Sequence, residues 1–309
     1  MREGAKIAWT WSDIGLTLQL ALLTLPAWIL PDRFWSAAWR AKAHFPGPTG
    51  PGVRRNTRTI ATALGDVSQS EAQRIARDLR AAIKELKTQS LKGWRPGGWR
   101  PAIALEGEEH LKRAVEAGKG AILWIAPFVF YSGASKIALR EKGYLVSHLS
   151  STVHGFSGSQ YGIQFLNRIQ CVPEDRNIKE RIVFDRDAPS TAMRRLLRAL
   201  KAGEVVSIAA ASTEGLEMVE TPFLGGRTPV AVGAPRLAGL TGAPVLPMFV
   251  VREKNGVFRV VIEPPIALDP KQSSDERCVA AATEFFRRLE PYVRKHPEQW
   301  RGWSKWRQD

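Results

Sequence analysis

"GAILWIAPFVFYSGASKIALREKG" (residues 120–143) decides the fold. Its opening nine residues, 120–128, form a short apolar run that ends in the turn around Pro127, which reads as a buried strand. Residues 134–143 then read as a helix closed by Gly143, and "YLVSHLSS" (144–151) is a strand again. Working outward, the same alternation continues on both sides. "EEHLKRAVEAG" (108–118) is a helix ended by Gly118. "STAMRRLLRALKAG" (190–203) is a helix feeding the strand "EVVSIAAA" (204–211). "AVGAPRLAGLTG" (231–242) is a helix followed by the strands "PVLPMFVV" (244–251) and "FRVVIEPP" (258–265), and residues 275–296 form a long amphipathic helix. Strands alternating with helices at this spacing predict an α/β sandwich around a mainly parallel sheet.

Upstream the texture is different. "IGLTLQLALLTLPAWILP" (14–31) is apolar over a length at the short limit for crossing a bilayer. Pro26 kinks any helix there, and no small-residue cleavage site follows, so the segment reads as an anchor that spans the membrane or lies in its interface. The chain divides into an anchoring segment, 1–45, and an α/β domain, 46–309. "PGPTGPG" (46–52) is a loop by composition, and residues 54–89 read as two helices, the second opened by the S-x-x-E signal of Ser68 and Glu71. Trp9, Trp11, Trp28, Trp35 and Trp39 flank the apolar run, while Trp300, Trp303 and Trp306 stand beside Arg301, Lys305 and Arg307. Indoles next to basic residues suit a membrane interface; buried tryptophans are the alternative for both groups.

Forty-five basic residues against 30 acidic ones give a net charge of +15, which points to an anionic partner, lipid or nucleic acid. The basic residues are dispersed and no helix-turn-helix or RNP-like signal occurs, so nucleic acid is not expected. Cys171 and Cys278 lie far apart without a CxxC spacing, which argues against a disulfide scaffold or a zinc site and for reduced thiols. No GxGxxG, Walker loop or HExxH supports a nucleotide cofactor or a metal. Of five histidines, His110 and His296 read as solvated helix positions. His148 and His154 straddle the end of a strand, where α/β proteins build sites, although a structural role is open for each.

The whole chain resembles the lysophospholipid acyltransferase superfamily and, within it, the lipid A biosynthesis (lauroyl/myristoyl, late) acyltransferases. The likeness rests on the apolar start, the helical pair beginning "RRNTRTI", the α/β core and the ending "HPEQWRGWSKWR" (296–307). "FLNR" (165–168) resembles the second sequence block, "STEG" (212–215) the third and "APVLPMFV" (243–250) the fourth. "ETPFLGGRTPVAVGAPRLAGLTGAPVLP" (220–247) resembles the run that the late acyltransferases carry between the last two. The resemblance implies an α/β/α sandwich of the glycerolphosphate acyltransferase type with an N-terminal membrane-anchoring helix. It implies acyl transfer from an acyl carrier protein or coenzyme A thioester, with no further cofactor and no metal. An anionic membrane lipid as partner, a monomeric state and the cytoplasmic face of a bacterial inner membrane also follow from it. Arg168 with Asn167, and Glu214 with Gly215, take the acceptor-binding positions of the second and third blocks.

The first block departs from the family. There the pattern is His-x4-Asp/Glu, in which the histidine takes the acceptor's proton and the carboxylate orients the ring. Here Pro127 and Ser132 occupy those positions. A displaced base is the expectation, with His154 as the candidate and Ser157 beside it in "VHGFSG". A catalytically inactive member that binds lipid or a partner enzyme at the membrane is the other reading of the same departure.

Overall fold

The computed structural model describes residues 7–46, 49–185, 187–210 and 217–309. The first helix, α1 (Trp11–Ile29), opens at Thr10, whose hydroxyl accepts the Asp13 N–H while the Asp13 carboxylate accepts the Thr10 N–H at 2.7 Å. This reciprocal cap satisfies two donors that a helix start leaves free. Three helices follow, α2 (Asp32–His44), α3 (Pro51–Leu64) and α4 (Gln69–Lys92). As the S-x-x-E spacing predicts, the Ser68 hydroxyl accepts the Glu71 N–H at 3.2 Å at the start of α4.

Helices α1 and α2 lie along α4, burying Leu20 and Ala27 of α1 with Trp35 and Trp39 of α2 against Ala81 and Leu91. The Trp28 indole donates to the Leu91 carbonyl at 2.9 Å and fastens the end of α1 to the end of α4. Only one side of α1 is covered. Trp11, Ile14, Leu18, Leu22, Leu25 and Ile29 recur at steps of three and four and are all exposed. The helix is long and apolar enough to cross a membrane.

The α/β part runs β1 (Ile103–Glu106), α5 (Glu108–Glu116), β2 (Ala121–Ile125), α6 (Tyr131–Glu141), β3 (Val146–Ser151), α7 (Arg168–Asp175), β4 (Glu180–Phe184), α8 (Pro189–Lys201) and β5 (Val205–Ala209). A hairpin, β6 (Met218–Phe223) and β7 (Gly226–Ala231), leads to α9 (Gly233–Thr241), β8 (Val245–Arg252), β9 (Phe258–Ile262) and α10 (Ser274–Lys295). The main sheet has the order β1-β9-β8-β2-β5-β3-β4. Five neighbouring strands, β8 through β4, run parallel, and β9 turns back antiparallel on β8. The expected parallel-rich α/β architecture is present. Strand alternation places Trp124 and Phe249 on the α10 face, where both rings meet Phe285. Phe258 points to the opposite face and meets Phe130 at the start of α6, so helices cover both faces.

Several elements exceed the sequence reading: β1, α2, α7, β4 and the β6–β7 hairpin. The tail corrects it. Trp300, Trp303 and Trp306 are buried, not interfacial. Trp300 meets Phe223 and Trp303, and the Trp303 and Trp306 indoles donate to the carbonyls of Pro297 and Phe223. Residues Arg307–Gln308, β10, pair with β7 and make a second, three-stranded sheet. His296, expected in solvent, is buried as well, and that burial lowers its pKa.

Candidate functional site

The strands β2, β5 and β3 are neighbours and parallel, so the segments that follow them emerge at one edge of the sheet. This carboxyl edge is where open α/β sheets place their ligands. Two segments singled out in the sequence leave the strands there, the 127–132 turn after β2 and the 152–157 loop after β3. "STEG" (212–215), with Glu214 and Gly215, follows β5 in sequence and is outside the described residues.

The 127–132 turn is built into the core by the tail. The Arg301 N–H donates to the Pro127 carbonyl at 3.0 Å, the Val129 N–H donates to the Gln299 carbonyl at 2.7 Å, and Phe128 pairs with Trp300. Gln299 is held in turn by Arg252, whose N–H and carbonyl both bond its side-chain amide at 2.8 Å. Pro127 therefore supplies backbone to a joint and no proton acceptor. Ser132 at the turn's end is buried, and its hydroxyl accepts from the Lys136 ammonium at 3.1 Å, one helical turn along α6.

That ammonium leads to the densest polar cluster at this edge. Lys136 donates to Glu174 Oε2 at 2.6 Å, and Arg181 donates to the same oxygen at 2.9 Å. Gln170 donates to Glu174 Oε1 at 2.9 Å, and the His154 ring approaches Oε2 through Nε2 at 3.1 Å. One carboxylate thus collects four donors from four segments. Burial alone raises the Glu174 pKa, but Lys136, His154 and Arg181 outweigh it and hold the carboxyl well below its usual range. A carboxylate held ionised only accepts hydrogen bonds, so the ring nitrogen that faces it, Nε2, is the donor. The arrangement is a histidine oriented by a carboxylate, reached by residues 20 positions apart in sequence.

The loop that carries His154 is shaped by Asn167. Its buried side-chain oxygen accepts the N–H groups of Phe156 and Ser157 at 2.7 and 2.9 Å, and its amide donates to the Ser157 carbonyl at 2.8 Å. Gly155 has φ +136°, and a Cβ there would stand 2.5 Å from Asn167, so glycine is what allows the loop to close on the amide. Asn167 is spent on this scaffold. Ser157 Oγ donates to Asp13 Oδ1 at 2.5 Å, which ties the loop to the start of α1 and turns the hydroxyl toward that helix; no hydrogen bond joins Ser157 to His154. Hydrogen bonds from Ser157 above all, against the opposing effect of burial, lower the Asp13 pKa to about 2. Arg168, the first residue of α7, is exposed and has no ion pair among the described residues.

The remaining nucleophilic groups can be placed. His148 is buried in β3 against Ser207 Oγ at 2.8 Å; burial and the nearby Lys136 push its pKa well down, and it faces no opening. The Cys171 thiol is pushed up to about 11 by burial, so it is not a thiolate. A cavity of about 440 Å³ opens between α4, α6 and α7, with Ser132, Glu174 and Gln170 in its wall beside Leu86, Trp99 and Ile137. Glu174 and Gln170 separate this cavity from the His154 ring.

Sequence reasoning singled out His154 as a candidate but not the residues around it, Glu174, Gln170, Lys136 and Arg181. Pro173 reads as a helix breaker and conceals α7. The usable signals were two i,i+4 pairs, Ser132–Lys136 and Gln170–Glu174, each on one helix face.

A family model described as bacterial lipid A biosynthesis acyltransferase matches residues 5–305. No curated protein matches the chain. With that span covering nearly every element described above, the chain belongs to the bacterial lipid A biosynthesis acyltransferase family.

Proposed function

We propose that this protein moves a fatty acyl group from an acyl thioester to a hydroxyl or amine of a phosphate-bearing lipid, on a fold of the glycerolphosphate acyltransferase type. The observation that carries the reading is the His154–Glu174 pair. It supplies at a new address the two groups, base and orienting carboxylate, that positions 127 and 132 lack.

In this mechanism His154 Nδ1 takes the acceptor's proton as the acceptor heteroatom attacks the thioester carbonyl. The resulting imidazolium is stabilised by Glu174, which stays ionised. Collapse of the tetrahedral intermediate expels the thiolate, which takes the proton back from the ring and leaves as a thiol. Lys136 and Arg181 fix Glu174 and do not touch the reacting atoms. Arg168, with no ion pair among the described residues, suits the acceptor's phosphate, and Glu214 with Gly215 retains the acceptor-binding role that the resemblance implies. The +15 charge favours an acidic acyl carrier protein over coenzyme A as thioester carrier.

The exposed stripe of α1 supports residence at a membrane surface, and the family resemblance implies the cytoplasmic face of a bacterial inner membrane. A helix that buries one side against α4 and exposes an apolar stripe on the other is suited to lie in the interface and not to cross it. The deciding experiment incubates the purified full chain with acyl carrier and coenzyme A thioesters and membrane lipid extract, and follows thiol release. Turnover that His154→Ala abolishes supports the assignment. Turnover that survives the substitution removes His154 as the base, and absence of turnover with every thioester shifts the weight to an inactive lipid-binding protein.

A further inference from the structure

The seam between α1, α2 and α4 holds two connected hollows that share no residue with the site above. One, about 500 Å³, is an apolar groove between α1 and α2, lined by Gly15, Leu18, Leu22, Trp35 and Trp39 and ending at Lys42. The other, about 180 Å³, continues past Trp39 and Lys42 and is lined by Arg77, Arg80 and Lys84 of α4. Arg77, Arg80, Lys84 and Lys87 fall at steps of three and four, so they form one stripe along the helix.

None of Lys42, Arg77, Arg80 and Lys84 has a carboxylate within ion-pair distance among the described residues. Elsewhere on α4 the opposite holds: Arg74 pairs with Glu71 and Asp78, and Glu85 pairs with Arg252. Burial lowers the Lys84 pKa, and the neighbouring Arg80 and Lys42 lower it further, as expected of cations crowded together without a counter-ion. The Trp35 and Trp39 indole N–H groups are buried without an acceptor. Leu18 and Leu22 belong to the exposed stripe of α1, so the apolar groove opens on the face that presents that stripe.

A soluble anion uses the cations and leaves the groove in water. A hydrocarbon uses the groove and leaves the cations uncompensated. A molecule with a phosphate joined to acyl chains uses both, and the adjoining apolar stripe puts such molecules within reach. We propose that this seam binds one anionic phospholipid of the membrane, its phosphate in the α2–α4 hollow and an acyl chain in the α1–α2 groove. The lipid is resident, not acceptor, because nothing in the seam can perform chemistry on it.

The test uses the full chain in neutral detergent and counts bound short-chain lipid by native mass spectrometry, with phosphatidylglycerol and phosphatidylcholine in parallel. One phosphatidylglycerol is expected per chain, bound about tenfold or more tightly than phosphatidylcholine, whose choline ammonium sets a like charge against Lys42, Arg77, Arg80 and Lys84. The triple variant Arg77→Ala, Arg80→Ala, Lys84→Ala should lose the preference. Gly15→Phe should weaken binding of phosphatidylglycerol while leaving the fold intact, because a Cβ at Gly15 meets no atom within 4 Å. Equal affinity for the two lipids, or a preference that survives the triple variant, overturns the proposal. Displacement of the lipid by inorganic phosphate at matched concentration also overturns it, by reducing the seam to a simple anion site. Should the triple variant fail to fold, the wild-type preference and the Gly15→Phe result still decide. The readout is binding, so it stands or falls apart from the role of His154.

Discussion

Two segments leave neighbouring parts of the same sheet edge and have opposite characters. The 127–132 turn is backbone and hydrocarbon, stitched to Gln299, Trp300 and Arg301. The 152–157 loop is polar, held by Asn167, Asp13 and Glu174, and carries an imidazole. In a parallel sheet every loop at the carboxyl edge addresses the same region, so a base can move from one strand to another without rebuilding the fold. What stays fixed is the part that the core needs. The turn keeps its shape because the tail depends on it, while its side chains are free to lose their chemistry.

The largest expected effect tests the loop. His154→Ala should lower acyl transfer by about 10²–10⁴-fold, the usual range for loss of a positioned base, with little change in melting temperature. In the turn, Pro127→His should leave turnover unchanged, because residue 127 is fixed beneath the tail. A rate gain from Pro127→His would break the comparison by returning the chemistry to the turn.

Stability should divide in another way. Trp300→Ala opens the joint beneath the turn and should cost about 3–5 kcal/mol in denaturant titrations. Glu174→Gln leaves Lys136 buried without its carboxylate, while Arg181 keeps Asp175, and about 3–5 kcal/mol is again expected. Acid separates the two. Glu174 titrates lower in the fold than its ordinary value of 4.5, so its contribution is complete above that pH and is lost as the pH falls below it toward the folded value. Glu174→Gln should therefore flatten the acid limb of the stability curve, and Trp300→Ala should leave its slope unchanged. The smallest effect belongs to Ser132→Ala, which removes one neutral acceptor from Lys136 and should cost about 1 kcal/mol.

The strands β2, β5 and β8 were legible because they are short apolar runs, and the helices before β2 and β5 because Gly118 and Gly203 end them. The hairpin β6–β7 was not, because Pro222 and Pro229 lie inside it and read as breakers; they are tolerated in a small two-partner ribbon. Strand β4 was hidden by Glu180 and Arg181, charges that an edge strand carries at low cost. The tail tryptophans misled because composition reports a side chain's affinity for an interface and not which interior it fills. His154 could be found from its place after a strand. The i,i+4 spacing of Gln170 and Glu174 marks one face of a helix, but that this face meets His154 depends on how α7 packs, which no spacing encodes.

The joint between the turn and residues 299–301 has one more consequence, for biosynthesis. Most of the α/β domain lies in sequence between the two halves of that joint. While the chain emerges from a ribosome, β2 and the turn are exposed long before Gln299, Trp300 and Arg301 exist to cap them. The sheet edge that bears the candidate site stays uncapped until residues 299–301 have emerged and folded back onto the turn.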